Sequence, residues 1–270
     1  MEISNLMKDR IIEYLNEGKR FDSRKFDEYR EIIIEPNISK NAEGSCRVKL
    51  GDTEVIAGVK IDVTEPYTDH EDEGTLITTV ELLPLASDRF ESGPPKIEAI
   101  EVARIVDRGI RESKFIDFKK LCIKKGEKVY GVFLDIYPIN YDGNLIDASF
   151  IASVVALLTA KMPKYDEKTE KIKYGELTKN PIPLSDKIPI MITFWKVGEN
   201  IIIDPKLEEE DASDARLSVA LTKDKKEFNK INALQKGGEG VLTEKDLNNI
   251  FDLAKNKAEE ILEKIQKAVK

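Results

Sequence analysis

Histidine is nearly missing from this 270-residue chain, with His70 the only one. A mechanism that needs two histidines, such as an H-E-x-x-H zinc site, is therefore excluded. Cysteine is scarce as well. Cys46 and Cys122 are too few for a disulfide framework or a four-cysteine zinc site, which points to a reducing compartment. Both read as buried apolar fillers. No long apolar run is present. The longest, LIDASFIASVVALLTA, covers sixteen residues from Leu145 to Ala160 and contains Asp147. Crossing a bilayer takes about 20 residues, so this stretch reads as a buried core helix. The N-terminus, MEISNLMKDRIIEYLNEGK, has no apolar targeting core and no small-residue cleavage site. The expectation is a soluble, cytoplasmic protein. Positive charge is also in deficit: 43 Lys and Arg face 51 Asp and Glu, a net of −8. That balance argues against a general nucleic-acid coat protein.

What the chain does have is charge and recurring short apolar runs, with 35% charged and 41% apolar residues. The size allows one large or two small domains. Met1 to Gly18 is expected to form a helix, with Ser4 as N-cap and an apolar stripe of Leu6, Ile11, Ile12, Tyr14 and Leu15. Strands are expected at Ile32–Ile34, Ser45–Leu50, Thr53–Val63, Thr75–Leu83 and Lys128–Ile139, with Gly51-Asp52 as a hairpin turn. Helices are expected at Glu98–Arg111 and Asp147–Lys161. Met162 to Lys187 is charged and proline-bearing, and reads as a linker. Strands follow at Ile188–Lys196, Asn200–Ile203, Arg216–Thr222 and Lys230–Gln235. A last helix, Thr243–Lys270, opens with a capping box of Thr243 and Asp246. The fold class is α+β, in two subdomains that each run from strands to helix. The expected division is 1–29 as an N-terminal helix and extension, 30–162 and 188–270 as subdomains, and 163–187 as linker.

One constellation could carry binding. Arg104, Arg108 and Arg111 fall at i, i+4 and i+7 of the 98–111 helix, on one face, with Ala99, Val102, Ala103, Val106 and Ile110 opposite. Three guanidiniums spaced by about a turn suit the phosphates of a single-stranded nucleic acid. The same spacing also suits a solvated face with internal pairs such as Glu101 with Arg104 and Asp107 with Arg111. The acidic run Glu208–Asp211, with Asp204 and Asp214, reads as a solvated loop, as does Asp69–Glu73 around His70. Gly237, Gly238 and Gly240 match no dinucleotide or P-loop pattern and read as turn residues. No metal or cofactor is expected.

Several stretches together resemble the RNase PH family. They are FDSRKFDEYREIIIEPN, AEGSCRVKLGDTEVIAGVK, ELLPLASDRFESGPPKIEAIEVARIVDRGIRESKFID, DIYPINYDGNLIDASFIASVVALL and KINALQKGGEG with the terminal helix. The match runs over essentially the whole chain and looks most like the non-catalytic subunit of the archaeal exosome. The resemblance implies an RNase PH-type fold, two βαβα-like halves related to ribosomal S5 domain 2, with an added N-terminal helix. It also implies a family chemistry: phosphate attacks the terminal phosphodiester of RNA from the 3′ end and releases nucleoside diphosphates.

Departures from the active pattern carry the assignment to a non-catalytic member. Active members have an Asp-Gly-Gly-Thr-Arg-like loop that binds phosphate at a helix N-terminus. The matching stretch here is Asp142 to Ile146, with Leu145 and Ile146 in place of the polar pair. Of two family aspartates, the first matches Glu210 and the second Arg216. An arginine pair of the active members is replaced by Lys96-Ile97-Glu98. The resemblance thus implies no catalytic residues, degenerate positions at Leu145, Ile146, Glu210 and Arg216, and RNA contact through Arg104, Arg108 and Arg111. The implied partners are a catalytic RNase PH-type subunit in a hexameric ring of three heterodimers, cap subunits with OB-fold and KH modules, and single-stranded RNA. Two rivals remain: a phosphorolytic 3′–5′ exoribonuclease active alone, and an interaction module that binds no RNA.

Overall fold

The structure, a computed structural model, describes residues 4–224 and 227–270. Met1 to Ile3, which the expected first helix includes, lie outside the described residues. Helix α1 covers Asn5–Asn16, and Ser4 caps it by accepting from the Met7 amide. Strands β1 (Ile32–Pro36), β2 (Gly44–Leu50), β3 (Thr53–Thr64) and β4 (Thr75–Val80) follow. Then come α2 (Ile97–Glu112), a short 3-10 turn, β5 (Cys122–Lys124), β6 (Lys128–Asn140) and α3 (Leu145–Thr159). The first sheet has the order β1-β2-β3-β6-β4, with β5 also paired to β6. Its pairs are antiparallel except β4 with β6. Leu50 pairs with Thr53, so Gly51-Asp52 is the expected two-residue turn, and Gly51 takes a φ of +56°.

The expected linker is not structureless. Lys161–Asp166 (β7) and Lys171–Pro181 (β8) pair as an antiparallel hairpin. Only Pro163 and Ile172 in these strands are buried. The strands are held by backbone pairing and carry no period-2 apolar signal, so their composition looks like a linker. Beyond it, β9 (Ile190–Val197), β10 (Asn200–Ile203), β11 (Ala215–Asp224) and β12 (Glu227–Gly237) form an antiparallel sheet of order β10-β9-β11-β12. Glu208 to Asp211, expected as a loop, belong to a short helix α4, Leu207–Asp211. The final helix α5 (Glu244–Val269) carries the predicted capping box of Thr243 and Asp246.

Helices α2, α3 and α5 each pack against both sheets. α3 packs on β2 and β3 of the first sheet and on β9 of the second, while α2 reaches from β4 to β12 and α5 from β1 to β12. α3 is therefore buried on all sides, from Leu145 through Leu157 without a break. This is the arrangement that an apolar run with no polar face requires. One continuous core joins both subdomains, from Val48, Val59 and Leu134 to Ile192, Val219 and Ile261. Helix α1 packs at the β9–β10 end of the second sheet. Ile11 and Leu15 pack with Trp195, Val197, Ile202 and Ala212, whereas Leu6 of the expected stripe is 80% exposed.

α2 sits tightly in this layer because of Gly109. A Cβ there would stand 2.5 Å from Cε2 of Phe150 and 2.7 Å from Cε of Met191. Gly109→Leu is expected to push α2 off α3 and lower unfolding stability by about 1–3 kcal/mol. A lower urea midpoint at unchanged slope would register the loss.

Candidate nucleic-acid interface and degenerate cleft

The segment between α1 and β1 crosses over to the second subdomain, and three arginines fasten it there. Arg20 donates from Nε to Oε1 of Glu209 at 2.9 Å and from Nη1 to the Ile203 carbonyl at 3.1 Å. Arg24 reaches Oδ2 of Asp204 at 3.0 Å. Arg30 donates to both carboxylate oxygens of Asp204, at 3.0 and 2.7 Å, and its backbone amide adds a third bond at 2.7 Å. Asp204 is 0% exposed and Glu209 is 4% exposed. The acidic run expected as a solvated loop is thus in part a buried ion-pair network, whose counter-ions come from about 180 residues earlier in the chain.

That network also shapes the loop ahead of α3. Arg30 donates to the Asp142 carbonyl at 2.6 Å and to the Gly143 carbonyl at 3.1 Å. Thr53 Oγ1 donates to the Gly143 carbonyl at 2.7 Å. Gly143 has a φ of +82°, and a Cβ on it would stand 2.8 Å from the Lys206 carbonyl carbon. Only glycine fits there. Asn144 follows in the left-handed region at φ 53°, which asparagine tolerates best among larger residues. Its Nδ2 donates to Asp147 and Asp204, both at 3.1 Å.

A helix N-terminus such as that of α3 favours a bound anion. Here the chain supplies its own anion. The Asn144 amide donates to Oε2 of Glu210 at 2.6 Å, and the Tyr141 hydroxyl donates to Oε1 at 2.8 Å. Burial pushes the Glu210 carboxyl up, and the Asn144 amide, Tyr141 and Arg216 partly offset that. Leu145 and Ile146 are both 6% exposed. Arg216 is also 6% exposed and donates from Nη2 to Oε1 of Glu101 at 2.5 Å. The structure therefore brings Leu145, Ile146, Glu210 and Arg216 into one cleft of about 530 Å³. Its lining carries Glu81, Glu91, Glu98, Glu101 and Glu210 against Arg89, Lys96 and Arg216. A wall with more acids than bases, and with the helix amide already engaged, disfavours a dianion.

The arginine face borders this cleft. Arg104, Arg108 and Arg111 line a groove of about 900 Å³ that shares Val80, Glu81, Pro95 and Ala99 with it. The three are not equivalent. Arg111 donates to Asp107 at 3.1 and 3.0 Å and to the Leu76 carbonyl at 2.9 Å, and lies over the Phe118 ring. It is committed to the fold. The expected pair of Glu101 with Arg104 does not form, because Arg216 holds Glu101. Arg104 and Arg108 are exposed and make no ion pair among the described residues.

Sequence reasoning missed Tyr141 and Trp195 as parts of this region, and paired Glu101 with Arg104 instead of Arg216. Tyr141 borders the 142–146 loop and could have been found there. Trp195 had no signal beyond being the only tryptophan. His70 is exposed in its acidic loop. Among the described residues, no three His, Cys, Asp or Glu side chains group to hold a metal, and no helix is long and apolar enough to cross a membrane.

With this geometry in place, comparison with known proteins is informative. Models of the 3′ exoribonuclease family (RNase PH) match residues 28–163 as domain 1 and 187–257 as domain 2. The chain is 45% identical over 264 residues to the exosome complex component Rrp42 of Methanocella arvoryzae, covering 98% of this chain and 97% of the relative. It is 46% identical over 270 residues to the Pyrococcus horikoshii Rrp42, covering 99% and 96%. Among solved structures, a chain of the Archaeoglobus fulgidus exosome with RNA bound to the active site superposes with a TM-score of 0.86. It shares 41% identity and is covered over 96% of this chain and 98% of that one. Rice Rrp46 superposes at 0.68 with 16% identity, covering 93% and 100%, which shows a shared fold.

The buried Asp147 leaves a measurable trace. Burial pushes its carboxyl up to about 6, against the pull of the Tyr29 hydroxyl, Thr193 and Asn144. The folded state then holds a proton that the unfolded chain has lost between about pH 4 and pH 6. Asp147 thus lowers stability as pH rises through that window. Asp147→Asn is expected to gain about 2 kcal/mol relative to the parent from pH 4 to pH 7. Urea titrations of both proteins across the window measure it, and a constant difference between them contradicts the assignment.

Proposed function

The chain belongs to the RNase PH family of 3′ exoribonucleases, and on that premise we propose that it is a non-catalytic component of the archaeal exosome. In this reading it pairs with a catalytic RNase PH-type subunit. Three such heterodimers close a hexameric ring, with OB-fold and KH cap subunits on one face, in the cytoplasm. A closed ring of alternating subunits uses heterologous contacts and needs each chain to present two different faces.

The observation that carries the non-catalytic assignment is the carboxylate of Glu210 on the Asn144 amide, 2.6 Å away, at the entrance to α3. Phosphorolysis needs a phosphate there as nucleophile and an acid beside the leaving oxygen. Glu210 fills the anion position and repels a second anion. Leu145 and Ile146 offer no donor side chain, and Arg216 cannot donate a proton at neutral pH. The purified chain with RNA and phosphate is expected to release no nucleoside diphosphates, while the complex with its RNase PH-type partner at equal stoichiometry releases them. Release by the chain alone would favour the stand-alone exoribonuclease instead.

RNA contact falls to the α2 face. Arg104 and Arg108 carry exposed guanidiniums that are free of intrachain acids, spaced one turn apart. Each can take a phosphate of a single strand passing toward the partner's site. Replacing both with Glu in the assembled ring is expected to weaken RNA binding and to lower the salt slope by about 1.4, at about 0.7 per phosphate. Binding isotherms at several salt concentrations read this, and an unchanged slope removes RNA from this face. Arg111 is a poor site for the test, since its loss also strips Asp107 and the Leu76 carbonyl of their partner.

A further inference from the structure

The cleft whose lining disfavours phosphate is still a built pocket. Its floor is apolar, with Leu83, Ala99, Val102, Leu145 and Ile146. Its rim is aromatic: Phe90 stacks on Tyr141 at 5.4 Å between ring centroids, and Trp195 stands in the wall. Its size lies in the range of about 300–1,000 Å³ common to small-ligand sites. Two donors in that wall have no hydrogen-bond partner: Nη1 of Arg216 and Nε1 of Trp195. Both side chains are more than nine-tenths buried, at 6% and 7% exposure. The Arg216 guanidinium lies 5.9 Å from the Trp195 ring centroid, so the two donors belong to one stacked pair. Beside them stand the carboxylates of Glu210 and Glu101, which only accept.

Flat apolar surfaces, unpaired donors and neighbouring acceptors select a flat, uncharged, heteroaromatic guest with both carbonyl and N–H edges. We propose that this cleft binds a nucleobase rather than a phosphate. The base would lie against the apolar floor at the Phe90 and Tyr141 rim. Its carbonyl would accept from Arg216 once the guanidinium turns outward from behind the wall, and its N–H would donate to Glu210 or Glu101. Leaving a buried donor unpaired is costly, so that turn is compensated by the bond it makes. Two sources present the same chemistry: a free nucleoside, or an unstacked base of RNA. The RNA source rests on the exosome reading above, because the cleft opens beside the Arg104 and Arg108 groove and shares four residues with it. The nucleoside source does not depend on that reading.

Trp195 is the only tryptophan in the chain, so its emission reports occupancy of the cleft. The probes are uridine, adenosine, a single-stranded oligoribonucleotide and orthophosphate, each titrated into the full chain without a partner. A saturable change in emission with a nucleoside or with the oligonucleotide, and none with orthophosphate, is expected. Saturation by free nucleosides assigns the site to soluble ligands, and saturation by the oligonucleotide alone assigns it to a base carried on RNA. Arg216→Met should weaken binding by about tenfold or more, and Phe90→Leu, at the rim, by about threefold or more. Arg104→Glu with Arg108→Glu should weaken the oligonucleotide and leave any nucleoside titration unchanged. Flat emission with every base-bearing probe, saturation by orthophosphate, or unchanged affinity in whichever of the Arg216 and Phe90 variants folds would overturn the proposal. None of those results bears on whether the chain joins an exosome ring, which the activity of the assembled complex decides.

Discussion

Asp204 is fully buried and accepts from Arg24, from the side chain and backbone of Arg30, and from Asn144. A carboxylate out of water is tolerated only when its lone pairs are filled by charged or amide donors in good geometry. Those donors come from the segment before β1 and the loop before α3, while Asp204 itself follows β10. The charge therefore ties three distant stretches together, and the rest of the site follows from that tie. Arg30 holds the Asp142 and Gly143 carbonyls. The loop then presents the Asn144 amide to Glu210. Removing any one partner would leave buried charge uncompensated, a larger loss than the pair's net contribution.

The elements with a strong apolar period were legible in the sequence. α5 shows its stripe of Ile250, Ala254, Ala258, Ile261 and Ile265 together with its capping box, and both are present. Gly51-Asp52 and the burial of α3 were legible for the same reason, since local chemistry and packing agree there. The β7–β8 hairpin was hidden because nearly all its side chains face water. The Asp204 and Glu209 network was hidden for a different reason. A run of acids looks solvated until three arginines far away in sequence are folded onto it. The cleft was half legible. Leu145, Ile146, Glu210 and Arg216 were marked by their departure from a family pattern, whereas Trp195 had no spacing that could mark it and the spacing of Glu101 pointed to Arg104 instead of Arg216.

The net charge of −8 and a locally positive face on α2 coexist because charge acts locally. On α2 two of the acids beside the arginine face are bound elsewhere. Asp107 is engaged by Arg111, and Glu101 by Arg216. Arg104 and Arg108 make no ion pair among the described residues and keep their charge for a ligand. A lone arginine helix would collapse into i,i+3 and i,i+4 pairs with its own acids. Here a strand from the second subdomain prevents one of them.

That strand residue is Arg216, which the family resemblance aligns with an acid of active relatives. Its replacement has two effects that are usually considered apart. An arginine there has no proton to give at neutral pH, and its guanidinium draws Glu101 off the α2 face. Restoring an acid at this position would do more than supply a missing group. It would set a carboxylate beside Glu210 and Glu101 and release Glu101 one turn ahead of Arg104, where it can pair with that arginine. The chemistry of the cleft and the neighbouring groove's positive charge are then linked through one side chain. An acid at Arg216 would therefore weaken the positive charge of the groove that Arg104 and Arg108 line.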